Sequence, residues 1–302
     1  MMSSPVYATL AFKATRIELQ GSVAVVTLVR PKERNTFNND MITELVHVFG
    51  LFDKDDRVRV VILTAEPNAP AYCAGADISG GWGSLWDEES EKEGEHAHRD
   101  SGGVVAMAIF RCRKITIAAV NGHAAGVGVT ALQLPFDFRF VWSGAKFALP
   151  FVRRGIAPEA VSSYLLPKLL GNSRALALFL SGATLSADSP LLQGFYHTLL
   201  PTREEVFPAA YTFAQELAQN TSQTAIAITK ALIWHGADNI EEQHLLDSRA
   251  IRTLGAANDA AEGARAFKEK RPIKFTDTLS KNMPTWIPWW REIDTKHRKA
   301  KL

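Results

Sequence analysis

Residues 116–142 read TIAAVNGHAAGVGVTALQLPFDFRFVW, and the way this stretch changes character decides the fold. Residues 116–120 form a short apolar run, which predicts a buried strand. NGHAAGVG, 121–128, consists mostly of small residues suited to a loop, and the apolar residues after it predict a short helix. Residues 136–142 return to a strand pattern. Strand, small-residue loop, helix and strand in succession place the first half of the chain in the α/β class.

The same alternation extends outward. Residues 16–19 and 23–28 predict two strands about a Gln20-Gly21-Ser22 turn. In 39–52, Ile42, Leu45, Val46 and Phe49 recur at spacings of three and four, predicting an amphipathic helix capped by Asn38 or Asn39. Residues 58–64 predict a buried strand that opens into EPNAPAYCAGADISGG, 66–81. Beyond Glu159 the signals are helical, over 173–180, 203–218, 222–235 and 241–254. No change of composition marks a linker. The expected organisation is an N-terminal extension 1–14, an α/β core 15–205, a helical part 206–275 of the same domain, and a tail 276–302. The charged stretch 84–103 is expected as an exposed helix or mobile loop beside the 66–81 loop and bordering the ligand pocket, Trp286, Trp289 and Trp290 as docked on the body, and 297–302 as a free end.

The 302 residues are 46% hydrophobic and carry 34 basic against 32 acidic side chains. That is ample material for a core, and the near balance of charge argues against a broad nucleic-acid surface. Cys73 and Cys112 are too few for a disulfide framework, which suits a reducing compartment. No run approaches the roughly 20 apolar residues of a membrane span, and the N-terminus lacks a secretory layout. A soluble intracellular protein with neither nucleic-acid nor membrane partners is expected.

Two loops follow buried strands, where open α/β sheets place ligands. One holds Cys73-Ala74-Gly75-Ala76-Asp77-Ile78, the other 121–128. Small residues admit a ligand to the backbone, and the helix start after the second loop offers unpaired N–H groups. One N–H from each loop aimed at a single carbonyl oxygen would make an oxyanion hole; equally, the glycines could serve only as tight turns. No Cys/His cluster has zinc spacing, and the dinucleotide fingerprint is incomplete at Gly126 to Gly128, so neither a metal nor a nicotinamide is expected.

AYCAGADI at 71–78, AAVNGHAAGVGVTALQLPFDFRF at 118–140 and KFALPFVRRGIAPEAVSSYLLPKLLG at 146–171 together resemble the enoyl-CoA hydratase/isomerase superfamily, the crotonase family. RPKERNTFN near the start and AFKEKRPIKF near the end resemble its opening and closing segments. The resemblance implies a crotonase-like spiral of ββα units with a helical C-terminal part. It implies a coenzyme A thioester substrate, no permanently bound cofactor, and a homotrimer or hexamer. The Ala76 and Val127 N–H groups would form the oxyanion hole. Arg34, Asn35, Thr36, Ala74, Gly75, Asp77, Ile78 and Gly126 would line the substrate and CoA arm, with Asp77 more a brace than a reactant.

On the same pattern, the two glutamates of the family's hydratases fall at Thr130 and Phe151, so both acids are missing. Glu159, in GIAPEAVSS, matches instead the catalytic glutamate of the family's peroxisomal Δ3,Δ2-enoyl-CoA isomerases. It is expected at the start of the helix that runs on to Leu169. One carboxylate that removes a proton from C2 and returns it to C4 suffices for isomerisation, with the dienolate oxygen held by two N–H donors. Without the resemblance, Glu159 is a helix N-terminal acid favoured by the dipole. A dienoyl-CoA isomerase ranks lower for want of further acids at Thr130 and Phe151. A specialised hydratase or dehydratase, or a CoA-binding protein without turnover, are the alternatives. His96 and His98 read as solvated, His123 as a turn residue. Ala300-Lys301-Leu302 is a variant of the Ser-Lys-Leu address, which implies a peroxisomal location and an import receptor as partner.

Overall fold

The computed structural model describes residues 6–81 and 94–295; of the charged stretch, 84–93 lie outside it, as does the end of the tail. The chain opens on an antiparallel pair, β1 (Thr15–Gln20) and β2 (Val23–Leu28), as the sequence predicts. Helix α1 (Asn39–Lys54) is capped by Asn38, whose side chain accepts from Met41 N at 3.0 Å. Its buried face is Met41, Leu45, Val48, Phe49 and Phe52, rotated slightly from the predicted stripe, so that Ile42 and Val46 lie at its margin.

From there consecutive strands alternate between two sheets. β3 (Val60–Ala65) lies in the first sheet and β4 (Ala71–Cys73) in the second. After α2 (Ser101–Arg111), β5 (Ile115–Val120) joins the first sheet and β6 (His123–Ala125) the second. After the single-turn α3 (Val127–Thr130), β7 (Phe138–Trp142) and β8 (Lys146–Ala148) repeat the step. This repetition is the spiral of ββα units. Among the described residues the first sheet has the order β1-β2-β3-β5-β7-β10 and the second β4-β6-β8-β9, with β9 at Thr184–Ser186 and β10 at Thr198–Leu200. β2, β3, β5 and β7 pair in parallel, and their largely apolar sequences follow from cover on both faces.

One face is covered by α6 (Val206–Asn220), which sets Val206, Ala210, Ala214 and Ala218 against Val23, Val25, Val60, Ile62, Ile115 and Ile117. The helix-rich second half therefore packs on the sheet through α6. The opposite face meets α1 and α2 in the larger core. Helices α4 (Ser162–Leu170) and α5 (Asn172–Ser181) follow the second sheet. They are succeeded after α6 by α7 (Gln223–Trp234), α8 (Ile240–Gly255), α9 (Asn258–Glu269) and a last turn α10 (Leu279–Asn282).

The tryptophans of the tail dock as expected. Trp290 stacks on His235 at 3.9 Å between ring centres, Trp289 Nε1 donates to His235 O at 3.0 Å, and the Arg249 guanidinium sits over Trp286. Arg99, just ahead of α2, donates through Nε to Thr295 O at 2.6 Å, so the tail also ties to the segment that enters α2. Among the described residues no helix is long and apolar enough to cross a membrane.

Candidate active site

The two small-residue loops meet where β4 and β6 run side by side. Gly128 packs so tightly on Cys73 that a Cβ would overlap the Cys73 carbonyl oxygen. The first loop is pinned from the other side by residues 34–37. Ala74 N donates to Arg34 O at 3.1 Å, Phe37 N to Gly75 O at 2.9 Å, and Asp77 N to Phe37 O at 3.0 Å. These bonds skip Ala76. Its N–H and that of Val127, the first residue of α3, donate to no protein group among the described residues, and both residues line one cavity. Gly126 makes the second donor available: its φ of +50° and ψ of −123° turn the chain sharply into α3, a conformation reserved for glycine.

The cavity has a volume of about 550 Å³ and walls that are mostly apolar. Ala74, Gly75, Ala76, Gly126 and Val127 of the two loops line it together with Phe151 and Ile156, and Arg154 and His98 are basic residues at its wall. Glu159 opens into it as well. Helix α4 starts at Ser162, three residues later than the sequence suggests, because Ala160 and Val161 both take left-handed φ values, 58° and 56°. Glu159 thus projects from an irregular turn and not from the first turn of α4, which removes the reading as an N-terminal acid of its own helix. Ser162 Oγ donates to Glu159 O at 2.5 Å and closes that turn.

The Glu159 carboxyl lies instead against the first turn of α2. A Cβ on Gly102 would overlap Glu159 Oε2. Thr130 Oγ1 donates to Glu159 Oε1. Asp100 stands beside it as the N-cap of α2, its Oδ1 accepting from Gly103 N at 2.5 Å and from Ala160 N at 3.0 Å. Burial pushes Glu159 up to about 8; the Thr130 hydroxyl opposes this, and the charge and hydrogen bond of Asp100 add to it. A carboxyl poised near neutrality beside a pair of aimed N–H groups is equipped for acid–base chemistry next to a carbonyl.

Other expected residues divide. Phe151 is buried and forms cavity wall, and Thr130 is fully buried. Asn35 is fully buried at a φ of 52°; it accepts from Arg30 N at 2.9 Å and donates to Ala71 O at 3.0 Å. Its side-chain polar groups hold the loop in place. Asp77 is likewise a brace, accepting from Ser79 N and Ser79 Oγ and pairing with Arg30 at 3.7 Å. Those contacts hold its carboxyl below the usual range. Arg34 O accepts from Ala74 N in the loop, Thr36 O accepts from Arg30 Nη1, and neither residue lines the cavity.

His123 accepts from Lys146 N at 3.0 Å and packs on Trp142, a structural place in β6. Cys73 and Cys112 are buried, and burial pushes their thiols up to about 12 and 11, so both are inert. Asp100 and Gly102, at the end of the charged stretch, line the cavity, and neither is singled out by the sequence as a site residue. Ala300-Lys301-Leu302 lie outside the described residues.

The family model for enoyl-CoA hydratase/isomerase matches residues 18–278, which include every element of this site. The chain belongs to the enoyl-CoA hydratase/isomerase family. Among its relatives, enoyl-CoA hydratase AFT3-1 of Alternaria alternata is 39% identical over 85% of this chain and 84% of its own. The 1,2-epoxyphenylacetyl-CoA isomerase of Escherichia coli is 29% identical over 85% and 96%. The crystal structure of a probable enoyl-CoA hydratase/isomerase from Mycobacterium abscessus superposes with a TM-score of 0.76 at 33% identity, covering 88% of this chain and 99% of the other. The crotonase-like fold follows from the topology and from this likeness together, and the chain is an enzyme of that family.

Proposed function

We propose that this enzyme moves protons on the acyl carbons of an enoyl coenzyme A thioester, with Glu159 as the acid–base group. The thioester oxygen accepts from the Ala76 and Val127 N–H groups. The observation that carries the reading is that these two unpaired donors and the Glu159 carboxyl line a single, largely apolar cavity. A proton leaving C2 shifts charge onto the thioester oxygen, where two fixed donors stabilise it by about 3 kcal/mol each.

On this inventory the first reading is isomerisation of a 3-enoyl to a 2-trans-enoyl thioester. Glu159 takes the C2 proton, the dienolate forms, and the same carboxyl returns the proton at C4. Thr130 and Phe151, standing where the resemblance sets the hydratase acids, support it. The second reading is addition or loss of water at C3 in a specialised acyl-CoA pathway. It is at least as well supported: the relatives include named hydratases, and Asp100 supplies a second carboxylate next to Glu159.

Purified protein given a 3-enoyl-CoA and, separately, a 2-enoyl-CoA separates the readings. Isomerisation raises the absorbance of the conjugated thioester in the first sample, and hydration lowers it in the second. Turnover in neither, with CoA binding retained, identifies a family member that only binds. The CoA arm passes Ala74, Gly75, Ile78 and Gly126, with Arg34 and Thr36 beside it. Assembly is as a homotrimer or hexamer, which sedimentation tests. Import into peroxisomes uses Ala300-Lys301-Leu302 and its receptor; a fluorescent fusion that stays diffuse with the tripeptide present contradicts that.

A further inference from the structure

Asp100 enters none of the reactions above by necessity, yet it is built into the site with care. Its Oδ1 is held by two backbone N–H groups from different segments, Gly103 N on α2 and Ala160 N directly after Glu159. The bond to Ala160 links the start of α2 to the irregular turn that projects Glu159. Two glycines in tandem open α2, and each leaves room for one acid. A Cβ on Gly102 would overlap Glu159 Oε2, and one on Gly103 would fall 2.6 Å from Asp100 Oδ2. Two carboxyl groups therefore lie together over the first turn of an 11-residue helix, where the dipole and free N–H groups favour negative charge.

We propose that Asp100 is a positioning residue for Glu159: it fixes the turn that carries Glu159 and sets a second carboxyl group beside it in the cavity. This rests on Glu159 being the acid–base group. The second carboxylate absent at Thr130 and Phe151 is thereby supplied from a different element. Among the described residues the other titratable groups around Glu159 are His98 on the segment ahead of α2, Arg154 in the turn Val152–Arg154, and Cys73 on β4. The Cys73 thiol stays neutral, so Asp100 is the only acid among these that can oppose ionisation of Glu159.

The test needs no substrate. Carboxyl carbon NMR of glutamate-labelled protein, with the Glu159 signal assigned by its loss in E159Q, follows the Glu159 titration in wild type, D100N and G102A. Asp100→Asn keeps an acceptor for Gly103 N and Ala160 N but removes the charge, so the Glu159 midpoint falls by one pH unit or more. Gly102→Ala pushes the carboxyl off α2 and away from Asp100, and also lowers the midpoint. In turnover, D100N moves the acidic limb of kcat/KM to lower pH, while G102A reduces kcat about 100-fold with little change in KM. A Glu159 midpoint unchanged in both variants overturns the proposal. A shifted midpoint with no turnover on either enoyl-CoA leaves the pair standing and overturns the assigned reaction instead.

Discussion

Thr130 Oγ1 donates to Glu159 Oε1 and lies 3.3 Å from Gly126 O, so one hydroxyl serves both protonation states of the acid. When Glu159 is ionised, the hydroxyl points to it. When Glu159 is neutral, the carboxyl donates to Oγ1 and the hydroxyl turns to Gly126 O. A small polar residue at the end of α3 thus stands where a hydratase glutamate is expected and acts as a partner to the acid placed elsewhere.

Removing that hydroxyl shifts the balance in a known direction. The bond favours the charged form of Glu159, so Thr130→Val raises its midpoint above about 8. If Glu159 first acts as a base, kcat/KM rises with pH through that midpoint in wild type, and the limb moves to higher pH in the variant. Activity near pH 7 drops several-fold, and the fold loses about 1 kcal/mol. Thr130→Ser restores the wild-type profile. The pH dependence of kcat/KM for the three proteins checks this.

Glu159 also costs stability. Its folded midpoint, about 8, lies above the 4.5 of a free glutamate, so its contribution is fully favourable below pH 4.5 and is lost as pH rises through 8. Glu159→Gln has no such dependence. The gap in unfolding free energy between variant and wild type should open from near zero at pH 4.5 to a few kcal/mol in favour of the variant above pH 8, on the order of 1.4 kcal/mol for each pH unit that separates the folded and unfolded midpoints. Urea unfolding at several pH values measures it.

The oxyanion donor on Val127 can be removed without disturbing its helix. Val127 is the first residue of α3, a position where proline fits because its N–H has no helical partner. Val127→Pro should lower kcat about 100- to 1000-fold, the cost of one such donor, and move Tm by only a few degrees. Equal losses in kcat and Tm would instead mean a collapsed loop.

The sequence carries the two loops and Glu159 openly, because an oxyanion site needs small residues directly after buried strands and both properties show in the letters. The other half of the site is hidden. Asp100, Gly102 and Gly103 sit in a charged stretch ending in a double glycine, a poor helix start by propensity. The helix forms there all the same, because Asp100 caps it and Val105, Ala106 and Ile109 anchor its inner face in the core. Asn35 is different: the resemblance sets it along the CoA arm, and the structure shows its side chain engaged with Arg30 N and Ala71 O, a pairing that no letter pattern announces. Helix α9 buries only Ala266 among its apolar side chains.

The central claim is that Glu159 exchanges protons with the acyl carbons of a bound thioester, whichever product results. It is tested most directly in heavy water, by mass-spectrometric measurement of deuterium entering the acyl group of 3-enoyl-CoA and 2-enoyl-CoA. Wild-type enzyme should label at least one of them on the time scale of turnover, and E159Q should label both about 100-fold more slowly or not at all. Labelling by E159Q at the wild-type rate would contradict the account.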